Sequence, residues 1–281
     1  LHTVPTLGEL SKTSETKPWE TPQIHTVQTD SYPKQIVLIR ANMLYVPLAC
    51  LSAKCVNVFK RIAAFRNPEF FEKQGMRLST YNIPRIVSCS EMTDDYLVLP
   101  RGCEDAVCDI LTQHGVKITI SEKTKHGRSI NVTFRGKLRE EQKKAMESFA
   151  GHNIGTLSAT TAFGKTVFAI GMIAKRKVNT LILVRNKALL EQWKERLETF
   201  LKIDETIEEP EAKRGRKKNL SIIGCLYAGK KSLHGIIDIA LIQSCLSDGE
   251  VRSFVKDYGM VIVDECHHVS SVSFEQVLRQ V

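Results

Sequence analysis

One eight-residue stretch limits the folds open to this chain more than any other feature: Ala159-Thr160-Thr161-Ala162-Phe163-Gly164-Lys165-Thr166. A short run, Gly155–Ser158, precedes it and predicts a strand, and a helical pattern over Thr166–Ala174 follows. Strand, glycine-containing loop and helix, in that order, is the setting in which backbone N–H groups at a helix head cradle phosphate oxygens. About 100 residues later, Asp264 and Glu265 close a second apolar run, Gly259–Val263. If both runs lie in one parallel sheet, the loop and the two carboxylates emerge at the same edge.

The residue types suit one chemistry. Gly164 lets the backbone approach a phosphate, and Lys165 can bridge the β- and γ-phosphates. The Thr166 hydroxyl is a hard oxygen ligand of the kind Mg²⁺ takes, and Asp264 can hold the same ion directly or through water. Glu265 is then placed to orient and deprotonate an attacking water. ATP and Mg²⁺ are the implied ligands. A bare Gly-Lys-Thr is often only a turn, and an Asp-Glu pair after an apolar run is often a solvated strand end. Agreement of order, spacing and context favours the site over both. The pattern is imperfect, because Ala159 stands where such loops usually carry their first glycine.

With 281 residues there is room for two domains. The 42% hydrophobic and 25% charged content is ordinary for a soluble protein. No apolar run approaches the ~20 residues of a membrane helix, and the polar N-terminus lacks a signal-peptide core. The eight cysteines form no C-x-x-C pair and predict reduced thiols in a cytoplasmic protein rather than a zinc site. Net charge is +9. Residues 1–132 carry 16 basic and 13 acidic side chains, and residues 133–281 carry 24 and 18. That surplus favours a polyanionic partner, DNA or RNA. The chain begins at Leu1 and stops at Val281 inside a helical pattern, which predicts a piece of a longer polypeptide.

Residues 1–33, rich in Pro, Thr and Ser, read as a linker or disordered arm. Residues 34–132 read as a small α+β region. Its expected elements are a hairpin over Gln35–Pro47, a Ser52-capped helix to about Phe65, a second helix from Asn67-Pro68, strands at Ile83–Val87 and Tyr96–Leu99, a helix over Gly102–His114, and strands at Val116–Ile120 and Ile130–Phe134. Residues 54–85 interleave basic and aromatic side chains. That pattern suits base stacking, but a small core under an amphipathic helix pair explains it more simply. From Leu138 helices and strands alternate: helix Leu138–Phe149, the loop helix, strand Asn179–Val184, helix Lys187–Phe200, and strands Ile237–Ile242 and Met260–Val263. The alternation predicts an α/β lobe over 133–281, a parallel sheet with helices on both faces. Residues 204–218 interrupt it with an acidic then a basic block, read as a solvated insertion in preference to a phosphate-contacting loop.

The order of motifs resembles the superfamily 2 DExH-box helicases of the XPB-like kind. Leu138-Arg139-Glu140-Glu141-Gln142 resembles their adenine-recognition motif. Ala159–Thr166 is similar to motif I, Leu183–Trp193 to motif Ia, Asp238–Ser244 to the later backbone-contacting motif, and Asp264-Glu265-Cys266-His267 to the DExH box. The narrower likeness is to the helicase segment of TOTE conflict-system proteins, carried by Arg77–Pro84 and Leu99–Cys103.

The resemblance implies a RecA-like first lobe of a DNA helicase or translocase. Arg139 and Gln142 would hydrogen-bond adenine, and Phe134 would stack on it. Thr160, Thr161, Ala162 and Phe163 would complete the nucleotide loop. Arg185, Asn186, Gln243 and Ser244 would contact nucleic acid, with DNA expected, and His267 would couple the two sites. A second lobe, with primase-polymerase and nuclease domains in the TOTE case, would lie elsewhere in the polypeptide. Without that lobe's arginine finger, hydrolysis should be slow. Residues 95–132 resemble the accessory domain that precedes the helicase core. Two other readings stay open: a motor subunit that moves on nucleic acid without unwinding, and a nucleic-acid-binding module whose nucleotide site has degenerated.

Overall fold

The structure, a computed structural model, describes residues 32–207, 221–228, 230–266 and 272–281. Most of the expected arm (1–31), residues 208–218 of the insertion, which hold its basic block and three of its acidic residues, and His267 lie outside the described residues.

The first half builds a sheet on hairpin logic. Strands β1 (Gln35–Arg40) and β2 (Leu44–Pro47) pair antiparallel, with Arg40 opposite Leu44. Ser52 then caps helix α1 (Ala53–Ile62), its hydroxyl accepting from the Cys55 N–H at 3.3 Å. The helix stops at Ile62 rather than Phe65, because the next residues turn into strand β3 (Ala64–Arg66). Asn67 caps α2 (Pro68–Gly75), with proline at the first helical position where its missing N–H costs nothing. Strand β4 (Ile86–Ser88) pairs with β3, and β5 (Glu91–Met92) makes a hairpin with β6 (Tyr96–Leu99). Helix α3 (Glu104–Gln113) ends before Gly115, whose φ of 69° lies in the left-handed region that glycine enters without strain. Strand β7 (Lys117–Glu122) returns parallel to β1, giving the order β5-β6-β2-β1-β7.

Helices α1 and α3 cover one face of this sheet. Phe59, Val107 and Leu111 pack on Ile36, Leu38, Leu44, Leu97 and Leu99, all buried. Arg40 pins α3 to the edge strand, donating to Glu104 at 2.7 Å and to Glu122 at 2.6 Å. The small aromatic core expected over residues 54–85 forms only in part. Phe59 is buried, but Phe65 is 53% and Tyr81 84% exposed, because β3, β4 and α2 project from the sheet instead of packing under it.

Strand β8 (Val132–Phe134) departs from the expected strand–helix–strand–strand unit. It pairs with β10 (Leu201–Ile203), and Ile130 and Val132 enter the core of the second half. Helix α4 (Glu140–Ala150) and helix α5 (Lys165–Arg176) follow. Between them the expected strand over Gly155–Ser158 does not form, and Gly155, Thr156 and Ser158 are exposed. A strand buried on both faces needs a continuous apolar run, and this segment offers only Leu157.

The central sheet is built on β9 (Thr180–Val184), followed by helix α6 (Lys187–Phe200). Strand β11 (Ile223–Tyr227) and β12 (Lys230–Ser232) form an antiparallel edge. Strand β13 (Ile237–Leu241) leads through a 3₁₀ turn, Ile242–Cys245, to the small hairpin β14 (Leu246–Ser247) and β15 (Glu250–Val251). Strand β16 (Met260–Val263) and helix α7 (Val272–Leu278) complete the order β12-β11-β13-β9-β16. Strands β11, β13, β9 and β16 run parallel. Alternate residues of β9 feed two cores: Ile182 and Val184 meet α5 and α6 on one face, and Leu181 and Leu183 meet Phe274 and Val277 of α7 on the other. This is the expected α/β lobe with helices on both faces.

No disulfide joins any of the eight cysteines in the structure. Cys50 and Cys266 are exposed, whereas burial pushes the Cys245 thiol up to about 12.

Two joints tie the halves together. Asn42 donates to the Arg279 carbonyl at 2.7 Å, and Arg279 pairs with Glu91. At the base of the sheet, buried Asn179 accepts from the N–H groups of Arg128 (2.9 Å) and Gly259 (3.0 Å) and donates to the Asp257 carbonyl (2.9 Å). There Gly127 and Gly259 cross so closely that a Cβ on Gly259 would sit 2.3 Å from the His126 carbonyl oxygen. Asn179→Ala removes the partner of the Arg128 N–H and of the Asp257 carbonyl, while the Gly259 N–H keeps the Asn179 carbonyl at 3.2 Å. It should lower unfolding stability by about 2 kcal/mol, read as a drop in the urea midpoint.

Candidate nucleotide site

The glycine-containing loop is shaped from both ends. Thr160 opens a 3₁₀ turn over Thr161–Phe163, and the Phe163 N–H closes it on the Thr160 carbonyl at 3.1 Å. Gly164 then takes φ 77° and ψ 48°, a left-handed conformation that costs a non-glycine residue about 1 kcal/mol or more. A Cβ there would also press to 2.9 Å on the Gln142 amide nitrogen. Helix α5 starts at Lys165, so its first N–H groups, which lack intrahelical partners, face the end of the loop. Thr166 lies half-buried in the first turn. The Lys165 ammonium is exposed and reaches back to the Ala159 carbonyl at 3.2 Å.

With no strand beneath it, the loop is fastened by side chains. Arg139 donates to the carbonyls of Ala162, at 2.7 Å, and Phe163. Gln142, 3% exposed, donates to the Phe163 carbonyl at 2.7 Å and accepts the Arg139 N–H at 2.9 Å. Both residues of the expected adenine motif therefore grip the loop, and both polar ends of the Gln142 amide are engaged. Phe149, Phe163 and Phe168 pack as an aromatic group, with ring centroids 5.4 Å apart for Phe149–Phe168 and 6.2 Å for Phe163–Phe168. Phe134 lies stacked at 6.4 Å on Phe200, both half-buried at the rim of the core.

Asp264 stands one residue past β16, its N–H extending the ladder to the Leu183 carbonyl at 3.1 Å. Its Oδ1 accepts the Glu265 N–H at 3.0 Å, and its Oδ2 accepts the Trp193 indole N–H at 2.7 Å. Glu265 is exposed, with φ 52°. A non-glycine residue held in that region marks a backbone whose surroundings over-determine it, a frequent trait of functional positions. Thr166 and Asp264 supply the hard oxygen atoms that Mg²⁺ prefers, and the exposed Lys165 supplies a cation for phosphate, so the donor set fits Mg·ATP.

The expected nucleic-acid residues are also placed. Arg185 and Asn186 are exposed after β9, and the Asn186 side chain caps α6 by accepting the Leu189 N–H at 2.9 Å. Gln243 is exposed and Ser244 half-buried in the 3₁₀ turn after β13. Asp238, at the head of that same motif, is structural. It is fully buried, accepts from the N–H groups of His234 (3.0 Å) and Gly235 (2.7 Å) and from the Tyr258 hydroxyl, and lies where a side chain on Gly224 would otherwise go. Burial and the Asp238 charge hold the Tyr258 phenol protonated far above its usual range.

Residues 135–281, about half of the chain, match the family model described as type III restriction enzyme, res subunit. The chain belongs to that family. Its second half is the first RecA-like lobe of the XPB-like, superfamily 2 kind. Among individual proteins it is similar to the 161L protein of Invertebrate iridescent virus 6, named as a candidate helicase. The two are 28% identical over 145 residues, 50% of this chain and 30% of that protein. It is 34% identical to the 109L protein of Invertebrate iridescent virus 3, likewise named, over 48% of this chain and 39% of the relative. It is 28% identical to the DNA 3'-5' translocase XPB2 of Sulfurisphaera tokodaii over 49% of this chain and 26% of the relative. The chain thus spans well under half the length of these relatives. The Arg77–Pro84 and Leu99–Cys103 segments lie outside the family match.

Arg139→Ala releases the Ala162 carbonyl and leaves the Phe163 carbonyl to Gln142 alone, without opening the core, since Arg139 is exposed. Amide exchange across residues 160–166 should then accelerate about 10-fold, the equivalent of one lost hydrogen bond, while the melting temperature stays within about 1 °C. Hydrogen-exchange mass spectrometry reads the first quantity and a thermal melt the second.

Proposed function

We propose that the chain carries the ATP-binding and ATP-hydrolysing lobe of a DNA helicase or translocase. The observation that carries this reading is the loop itself: Gly164 in a left-handed turn, Lys165 and Thr166 at the head of a buried helix, and the loop carbonyls clasped by Arg139 and Gln142. Relatives named as helicase and translocase support it.

The residues divide the work. The loop N–H groups and Lys165 bind and orient the phosphates, with the lysine exchanging its contact to Ala159 for phosphate oxygen. Thr166 and Asp264 would hold Mg²⁺, which would neutralise phosphate charge when bound. Glu265 orients the attacking water and takes its proton. Gln142 and Arg139, already on the loop, pass its conformation to the adenine end, where Phe134 offers a flat apolar face. Arg185, Asn186, Gln243 and Ser244 contact nucleic acid, the first two next to β9 and the last two next to β13. His267, beyond Cys266, links the sites. Lobe closure on ATP and its release after hydrolysis would shift the grip on one strand. The region over 34–132 acts as an accessory domain that engages nucleic acid.

A second reading has an observation in its favour. The family description is that of a type III restriction enzyme's res subunit, and one relative is named a translocase. Motion without strand separation would use the same site.

Calorimetric titration with Mg·ATP tests the reading. Lys165→Ala should weaken binding at least ~10-fold, the scale of one charge-assisted contact. Glu265→Gln should keep binding and lower hydrolysis about 100-fold or more. Equal binding by the parent and Lys165→Ala would overturn the assignment. Displacement of a third strand from a triplex, with no duplex unwinding, would select translocation over helicase action.

A further inference from the structure

We infer that Trp193 is the positioning residue for Asp264, fixing the carboxylate that takes the divalent cation; the inference rests on the nucleotide site proposed above. Both oxygens of Asp264 are spoken for, Oδ1 by the Glu265 N–H and Oδ2 by the Trp193 indole N–H at 2.7 Å. A carboxylate held by two donors from different segments cannot rotate without losing one of them. Each oxygen keeps lone-pair capacity for a further partner.

The donor is as fixed as its acceptor. Trp193 is 2% exposed and packs in the core with Ile182, Leu190 and Leu197. It lies two turns into α6, and Asn186 caps that helix. A buried tryptophan usually finds a partner for its N–H. This one reaches 71 residues along the chain to a side chain at a strand end.

The chemistry of indole suits the task better than that of other donors. It donates and never accepts, so its one polar atom matches a carboxylate oxygen. It carries no charge, so it does not oppose a cation on the same group, as Lys or Arg would. Such outer contacts commonly set metal affinity by a factor of ~10–100.

The test uses the whole 281-residue chain. Lys165→Ala and the parent are first compared for ADP binding, to establish the site. Trp193→Phe then keeps a buried ring and removes only the N–H. The expected result is that Mg²⁺ enhancement of ADP affinity shrinks about 10-fold relative to the parent. A folded Trp193→Phe protein with the parental Mg²⁺ dependence overturns the inference while leaving the site standing. If the parent does not bind ADP at all, site and inference fall together.

A second measurement covers the case in which Trp193→Phe fails to fold. The chain has two tryptophans, Trp19 and Trp193, so Trp19→Phe leaves one indole. Its emission should shift on Asp264→Asn and again on adding Mg·ADP to the protein that retains Asp264. Emission that ignores both changes overturns the inference independently.

Discussion

The lobe depends on one strand. Thr180–Val184 is paired in parallel on both sides, buried along its whole length, and shares its side chains between two cores. Because a strand presents alternate residues to opposite faces, this segment sets which helices lie above and which below. It also sets the height at which neighbouring strands end. Asp264 follows β16, whose register to β9 is fixed residue by residue from Met260↔Thr180 to Val263↔Leu183. A slip of one residue would turn the acidic pair away from the helices that meet it.

The nucleotide loop relies on a different kind of support. Where a strand would anchor it by backbone pairing, this loop is held by two polar side chains from the start of α4 and by three phenylalanines. Side-chain fastening is more local than a ladder, and it can be exchanged for contacts with a ligand. It also means that Gln142 cannot be described as a free adenine reader. Its amide already spends one acceptor site on the Arg139 N–H and one donor on the Phe163 carbonyl, so a base would share a group that also holds the loop.

Much of this was legible in the sequence, for reasons that differ by element. Helix Lys187–Phe200 and strand Met260–Val263 lie where their patterns place them, because a capping Asn186 and a continuous apolar run are local signals. The strand expected at Gly155–Ser158 failed because order of motifs is not a force, and one leucine in four residues buries too little. The aromatic residues between 65 and 81 misled for another reason. Spacing shows which side chains share a face, but not whether the rest of the chain covers it. The contact between Trp193 and Asp264 had no sequence signal, since nothing in either neighbourhood reports a partner 71 residues away. The roles of Arg185, Gln243 and their neighbours rest on resemblance, and the fold adds only that they follow adjacent parallel strands.

The crossing of Gly127 and Gly259 has a consequence for how such chains diverge. Two backbones in contact leave no side chain to absorb change, so neither position can drift alone, and a deletion beside either would pull the strands out of alignment. Loops elsewhere can lengthen at little cost. The seam therefore works as a fixed datum from which the rest of the architecture is measured, and related chains should be expected to vary everywhere around it before they vary there.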